Sequence, residues 1–147
     1  MYKYIILITM ILALSSAGNI YGQTESEVLQ TEQAVRTDGK YGILVMKAQH
    51  LKAAILTGKQ LKDKSQLIDF QILVCGQLVK EISNEVDLQE DIRKSVADNG
   101  LKILVCGLSI QQFQVDKTNL PKEASITENG LLYMFGLQEQ GYKTVIL

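Results

Sequence analysis

Cys75 and Cys106 are the residues of this chain best suited to covalent chemistry. Each sits in the same pentapeptide, Ile-Leu-Val-Cys-Gly, once at 72–76 and again at 103–107, thirty-one positions apart. A thiol reacts as its thiolate, so the question is whether the surroundings favour the charged form. The glycine after each cysteine, Gly76 and Gly107, lets the backbone turn. At Cys106 the turn leads into Leu108 and Ser109, where a short helix is expected to start. A helix N-terminus offers partial positive charge and unpaired N–H groups, and both lower a thiol's pKa. Ser109 can add a hydrogen bond to the sulfur. Cys106 is therefore the candidate nucleophile and Cys75 the secondary one. Two plainer readings stay open. A cysteine behind Ile-Leu-Val is also a small buried apolar residue, and a pair of cysteines in an exported chain is more often a disulfide than two free thiols.

The elements around these residues follow from hydrophobic periodicity. Residues 41–46 (YGILVM) are a continuous apolar run, as expected for a strand buried on both faces, and 69–75 (DFQILVC) and 101–106 (LKILVC) read as a second and a third strand. Shorter strands are expected at 124–127 and 142–147. Between them lie helical patterns. Leu51, Ala54 and Ile55 mark a helix over 50–56 closed by Gly58, with a second piece around Leu61, Leu67 and Ile68. Leu78, Val79 and Ile82 mark a short helix. Asp87 with Glu90 has the form of a capping box before Leu88, Ile92 and Val96, and Asn99-Gly100 supplies the stop. Ile110 and Phe113 mark a short helix or turn, and 116–122 is a polar loop carrying Pro121, the only proline. Asn129 can cap a last helix over 131–140, ended by Gly141. Strands alternating with helices mean crossover connections, so the expected fold is a three-layer α/β/α sandwich with a mostly parallel sheet of about five strands. Strand order is not readable from the pattern. Both cysteines then fall at carboxyl ends of strands, the edge where open α/β sheets bind ligands, with Gly76, Gly107, Ser109 and Asn129 as candidate binding positions.

The N-terminus differs from the rest. Lys3 precedes an apolar run over 4–14 (YIILITMILAL), and Ser15, Ser16, Ala17 and Gly18 follow. This order is that of a secretory signal peptide, expected over 1–22 with cleavage after Ala17 or Gly22. The run is shorter than the roughly 20 residues a spanning helix needs, so no stable membrane insertion is expected after processing. The expected location is the periplasm or the extracellular space. Residues 23–40 read as a polar leader or linker with one loose helical turn or two around 28–35, and 41–147 as the α/β domain.

Composition narrows the function further. With 147 residues, 46% hydrophobic and 21% charged, the chain suits one globular domain. Fifteen basic residues against sixteen acidic ones, with no basic stripe, argue against a nucleic-acid partner. His50 is the only histidine and is expected as an exposed helix residue, so no metal site is expected. There is no CxxC pair, no phosphate-cradling glycine motif and no G-x-S-x-G elbow, and no cofactor is implied.

From about Tyr41 the chain resembles the DsrE/DsrF-like family of sulfur-relay proteins. The resemblance rests mainly on GLKILVCGLS at 100–109, Leu120-Pro121, NGLL at 129–132 and LQEQGY at 137–142. It implies an oligomer, a trimer or hexamer, whose cysteine at the position of Cys106 carries sulfur as a persulfide. A small sulfur-containing donor or a partner sulfur carrier would supply it. Beside sulfur carriage stand a redox or structural Cys75–Cys106 bridge and a non-catalytic oligomeric binding protein.

Overall fold

The computed structural model describes Gly22 and residues 24–147. The apolar segment and the cleavage at Ala17 expected for a signal peptide lie outside the described residues. Among the described residues no helix is long and apolar enough to cross a membrane. The chain divides into two compact units, one ending at Val35 and one spanning Arg36–Leu147.

The first unit holds helix α1 (Glu25–Gln33), none of whose residues is buried. Its start is fixed by a reciprocal cap. The Glu27 N–H donates to Thr24 Oγ1 (3.3 Å), and the Thr24 N–H donates to the Glu27 carboxylate (2.8 Å). Two N-terminal donors that a helix leaves orphaned are thereby satisfied. The leader is thus more helical than its polar composition implies.

In the second unit the order is β1 (Lys40–Val45), α2 (Ala48–Lys64), β2 (Asp69–Val74), α3 (Leu78–Asn84), α4 (Val86–Asn99), β3 (Lys102–Cys106), α5 (Gly107–Gln112), a 3₁₀ turn (Lys117–Asn119), β4 (Ser125–Thr127), α6 (Gly130–Glu139) and β5 (Lys143–Ile146). The strands form one sheet in the order β4-β3-β2-β1-β5, and every pairing is parallel. Register is carried by matched apolar positions: Ile43, Ile72 and Ile103 are partners, as are Leu44, Leu73 and Leu104. Because side chains alternate across a strand, the two faces build separate cores. On one face Val45, Phe70, Ile72, Val74, Ile103 and Val105 pack with Leu51, Ala54, Leu78, Ile82, Leu88, Ile92 and Ile110 of α2 to α5. On the other, Leu44, Leu73, Cys75 and Cys106 pack with Met134 and Leu137 of α6 and with Tyr142. The three-layer α/β/α sandwich is as the strand and helix alternation requires.

Two expectations are corrected. The helix expected to stop at Gly58 runs through it to Lys64 as a single element, and Ile68 belongs to the turn into β2. Gly58 is there because of packing: a Cβ would lie 2.8 Å from Phe70 ring carbons and 2.9 Å from Leu101. Nor does Asp87 cap α4. The chain re-enters a helix at once, with Glu85 as both the C-cap of α3 and the N-cap of α4, without a side-chain cap bond. Asp87 sits in the first turn, and Glu90 pairs with Arg93 and with Lys94 (3.4 Å). The stop at Gly100 is as expected, in left-handed conformation (φ +61°).

Candidate functional site

Parallel pairing brings the two cysteines together. Val74 and Val105 are partners across β2 and β3, so the next residue of each strand, Cys75 and Cys106, lies on the opposite face, toward α6. Cys75 just outlives its strand, with its N–H donating to the Val45 carbonyl (3.0 Å). Gly76 then turns in the left-handed region (φ +67°), where a side chain would be strained. The Gly76 N–H donates to Ser109 Oγ at 2.9 Å and so ties the end of β2 to α5.

Cys106 ends β3 and is the N-cap of α5. Gly107 is crowded by the turn after β4: a Cβ there would lie 2.7 Å from the Thr127 carbonyl and 2.9 Å from that of Glu128. The absence of that Cβ lets the turn close, and Asn129 and Gly130 are laid over the thiols. Asn129 Oδ1 accepts the Leu131 (3.0 Å) and Leu132 (3.2 Å) N–H groups, the cap its type predicts. The Gly130 N–H donates to Cys106 Sγ at 3.3 Å. A Cβ on Gly130 would lie 2.7 Å from Cys75 Sγ and 3.1 Å from Cys106 Sγ, so both sulfurs press against one α-carbon. Both cysteines are free thiols and buried.

Their electrostatics differ sharply. Burial works against ionising Cys106, yet its thiol is held below the ordinary 9.0. The Ser109 hydroxyl and N–H, the Gly130 N–H and the Cys75 thiol all donate to its sulfur. Burial pushes Cys75 up to about 12, helped by the charge of Cys106 and by Cys75's role as donor to it. The site thus favours the thiolate at Cys106 and the protonated thiol at Cys75. The site therefore gathers Cys75, Cys106, Gly76, Gly107, Ser109 and Asn129 at one edge of the sheet. Sequence reading missed Gly130. The signal was available in Asn129-Gly130, since a glycine at the first turn of a helix is otherwise a poor helix former.

A groove of about 400 Å³ runs from the same turn along α6, lined by Thr127, Glu128, Asn129, Leu132, Tyr133 and Gln140 among others. Among the described residues no three His, Cys, Asp or Glu side chains are grouped to hold a metal ion. His50, expected to be exposed, is half-buried in the first turns of α2, and its Nδ1 is buried without a hydrogen-bond partner.

A polar network under α6 also escaped the sequence. Lys102 Nζ reaches both Asp69 carboxylate oxygens at 2.9 Å, and the Tyr142 hydroxyl donates to Asp69 Oδ2 at 2.6 Å. Gln71 Nε2 donates to the Tyr142 oxygen (2.8 Å), and the Tyr133 hydroxyl donates to Gln71 Oε1 (2.6 Å). Burial works against the Asp69 carboxylate, but Tyr142 and Lys102 hold it below its usual range. Burial and Asp69 together push the Tyr142 hydroxyl up to about 12. The network is satisfied internally, and it pins α6 and the start of β5 to the sheet.

No protein-family model matches the chain, and no curated protein matches it. Solved structures do share its fold. A protein of unknown function from Methanobacterium thermoautotrophicum, MTH1491, superposes with a TM-score of 0.66 at 10% identity, over 75% of this chain and 100% of that one. A conserved protein of unknown function from Bacteroides thetaiotaomicron, BT1422, gives 0.61 at 16% identity, over 78% and 99%. The ychN protein of E. coli gives 0.60 at 10% identity, over 74% and 99%. At these identities the likeness is one of fold.

Proposed function

We propose that this chain is an exported DsrE-like sulfur carrier, in which Cys106 accepts a sulfane sulfur as a persulfide and passes it on. The observation that carries the reading is the environment of Cys106 Sγ, at the carboxyl edge of the sheet, accepting the Gly130 N–H at 3.3 Å beside Ser109. In the acceptance step the Cys106 thiolate attacks the outer sulfur of a donor persulfide, R–S–SH. The Cys106–sulfur bond forms, the donor's S–S bond breaks, and R–S⁻ leaves with the bonding pair. Ser109 and Gly130 stabilise the attacking thiolate, and Cys75 keeps its proton through the step. The family resemblance of residues 100–142 supports the same reading. The resemblance further supports a homo-oligomer, a trimer or hexamer.

Intact and peptide-resolved mass spectrometry after exposure to a sulfane-sulfur donor tests it. The Cys75→Ser chain should gain the mass of one sulfur atom at Cys106, and the Cys106→Ser chain should gain none. Equal adducts on whichever cysteine is left, or no adduct on Cys106, would remove it as the carrier.

A further inference from the structure

We infer that Cys75 is a resolving thiol: it displaces the outer sulfur of a Cys106 persulfide as hydrosulfide and leaves a Cys75–Cys106 disulfide. This rests on the reading of Cys106 as the sulfur acceptor, and it adds a fate for the sulfur that the acceptor role alone does not contain.

The geometry points to it in three ways. Cys75 and Cys106 each directly follow the Val74–Val105 pair of adjacent parallel strands, whose separation is about 4.8 Å. That spacing lies inside the roughly 4.4–6.8 Å between α-carbons that a disulfide spans without backbone movement. Both side chains leave the sheet on the same face, and both sulfurs lie against the Gly130 α-carbon, which has no Cβ to part them. Both sulfurs lie within 3.1 Å of the one point a Gly130 Cβ would occupy, so nucleophile and target share one small space. A dithiol that resolves its own persulfide needs this juxtaposition.

The step balances within the site. Cys106–S–S⁻ and Cys75–SH give Cys106–S–S–Cys75 and HS⁻. The Cys75 sulfur attacks Cys106 Sγ, the bond from Sγ to the outer sulfur breaks, and the outer sulfur leaves with its electron pair and the Cys75 proton. The outer sulfur is reduced and the two cysteines are oxidised, so no other oxidant takes part. An external dithiol reductant resets the pair.

The test uses the reduced full chain and the methanethiosulfonate anion, CH₃SO₂S⁻, as sulfur donor. Its leaving group is methanesulfinate, so any hydrosulfide reports the second step alone. The wild type should release one hydrosulfide per chain and finish with Cys75 and Cys106 joined in one peptide pair. Cys75→Ser and Cys75→Ala should each hold the persulfide on Cys106 with hydrosulfide release lost. A wild type that keeps its persulfide as long as these variants do, with Cys75 still alkylated after denaturation, overturns the inference. If instead neither Cys75 variant takes up sulfur while both retain native circular dichroism, the acceptor reading of Cys106 fails and this one falls with it.

Discussion

At the scale of single residues, the site turns on how two chemically identical side chains are made unequal. Ser109 carries much of the difference, because its hydroxyl and N–H donate to Cys106 while its Oγ accepts the Gly76 N–H at 2.9 Å. Ser109→Ala should therefore raise the Cys106 pKa toward 9.0 and cost about 1–3 kcal/mol for the stranded Gly76 donor. A slower neutral-pH alkylation with a lower urea midpoint would show both. The shifts also set a pH dependence of stability under reducing conditions. Cys106, depressed in the fold, contributes stability above its ordinary 9.0 that is lost as pH falls through its folded value. Cys75 and Tyr142 act with the opposite sign. Their folded values near 12 exceed the ordinary 9.0 and 10.0, so in that window the folded chain binds more protons than the unfolded one. Stability should fall by up to roughly 1.4 kcal/mol per pH unit for each group between its ordinary value and about 12. Denaturation midpoints measured from pH 8 upward check this, and Cys75→Ala should flatten the first part of the decline. A midpoint that stays level through that range would contradict the shifts.

At the scale of elements, the decisive contact is the N-terminus of α6 laid on the thiols. Gly130→Ala would put a Cβ 2.7 Å from Cys75 Sγ and should destabilise by about 1–3 kcal/mol, as overpacking does. Asn129→Ala removes the acceptor of the Leu131 and Leu132 N–H groups and should cost about 1 kcal/mol. Chemical denaturation of the two variants checks both values, and a neutral Gly130→Ala would mean the thiols do not lie where described. The strands, the cap at Asn129 and the placing of both cysteines at strand ends were legible because each is written locally: an apolar run, a polar cap, a glycine after the cysteine. What was not legible depends on partners far along the chain. Gly58 looked like a stop because Phe70 and Leu101, the side chains that need its missing Cβ, belong to other elements. Asp69 and Tyr142 are 73 positions apart yet share a hydrogen bond, and nothing in either segment names the other. Periodicity tells which face a residue takes, not which strand lies beside it. The contact between the two thiols therefore awaited the pairing of β2 with β3.

At the scale of the whole molecule, the faces of the sheet in Arg36–Leu147 are unequally covered. Helices α2 to α5 pack one face, and within this unit α6 packs the other. On the outer side of α6, Leu131, Leu132 and Phe135 remain 56–67% exposed, and at the β5 edge Val145 and Ile146 are 55% and 60% exposed. Apolar side chains clustered on one helix and an edge strand open to pairing are the kind of surface that assembly covers. With the proposed homo-oligomer, light scattering should give a multiple of the chain mass, and Phe135→Glu should shift it toward the monomer while circular dichroism is unchanged. A monomer mass independent of concentration would remove the proposal.

The central claim is that Cys106 is the working thiol and Cys75 its protonated neighbour. Peptide-resolved alkylation of the reduced native chain with a small reagent, followed against pH, tests this most directly. Cys106 should be modified with a midpoint below 9.0, and Cys75 should stay unmodified until pH approaches about 12. Both thiols reacting together near 9.0, or Cys75 reacting first, would contradict the account.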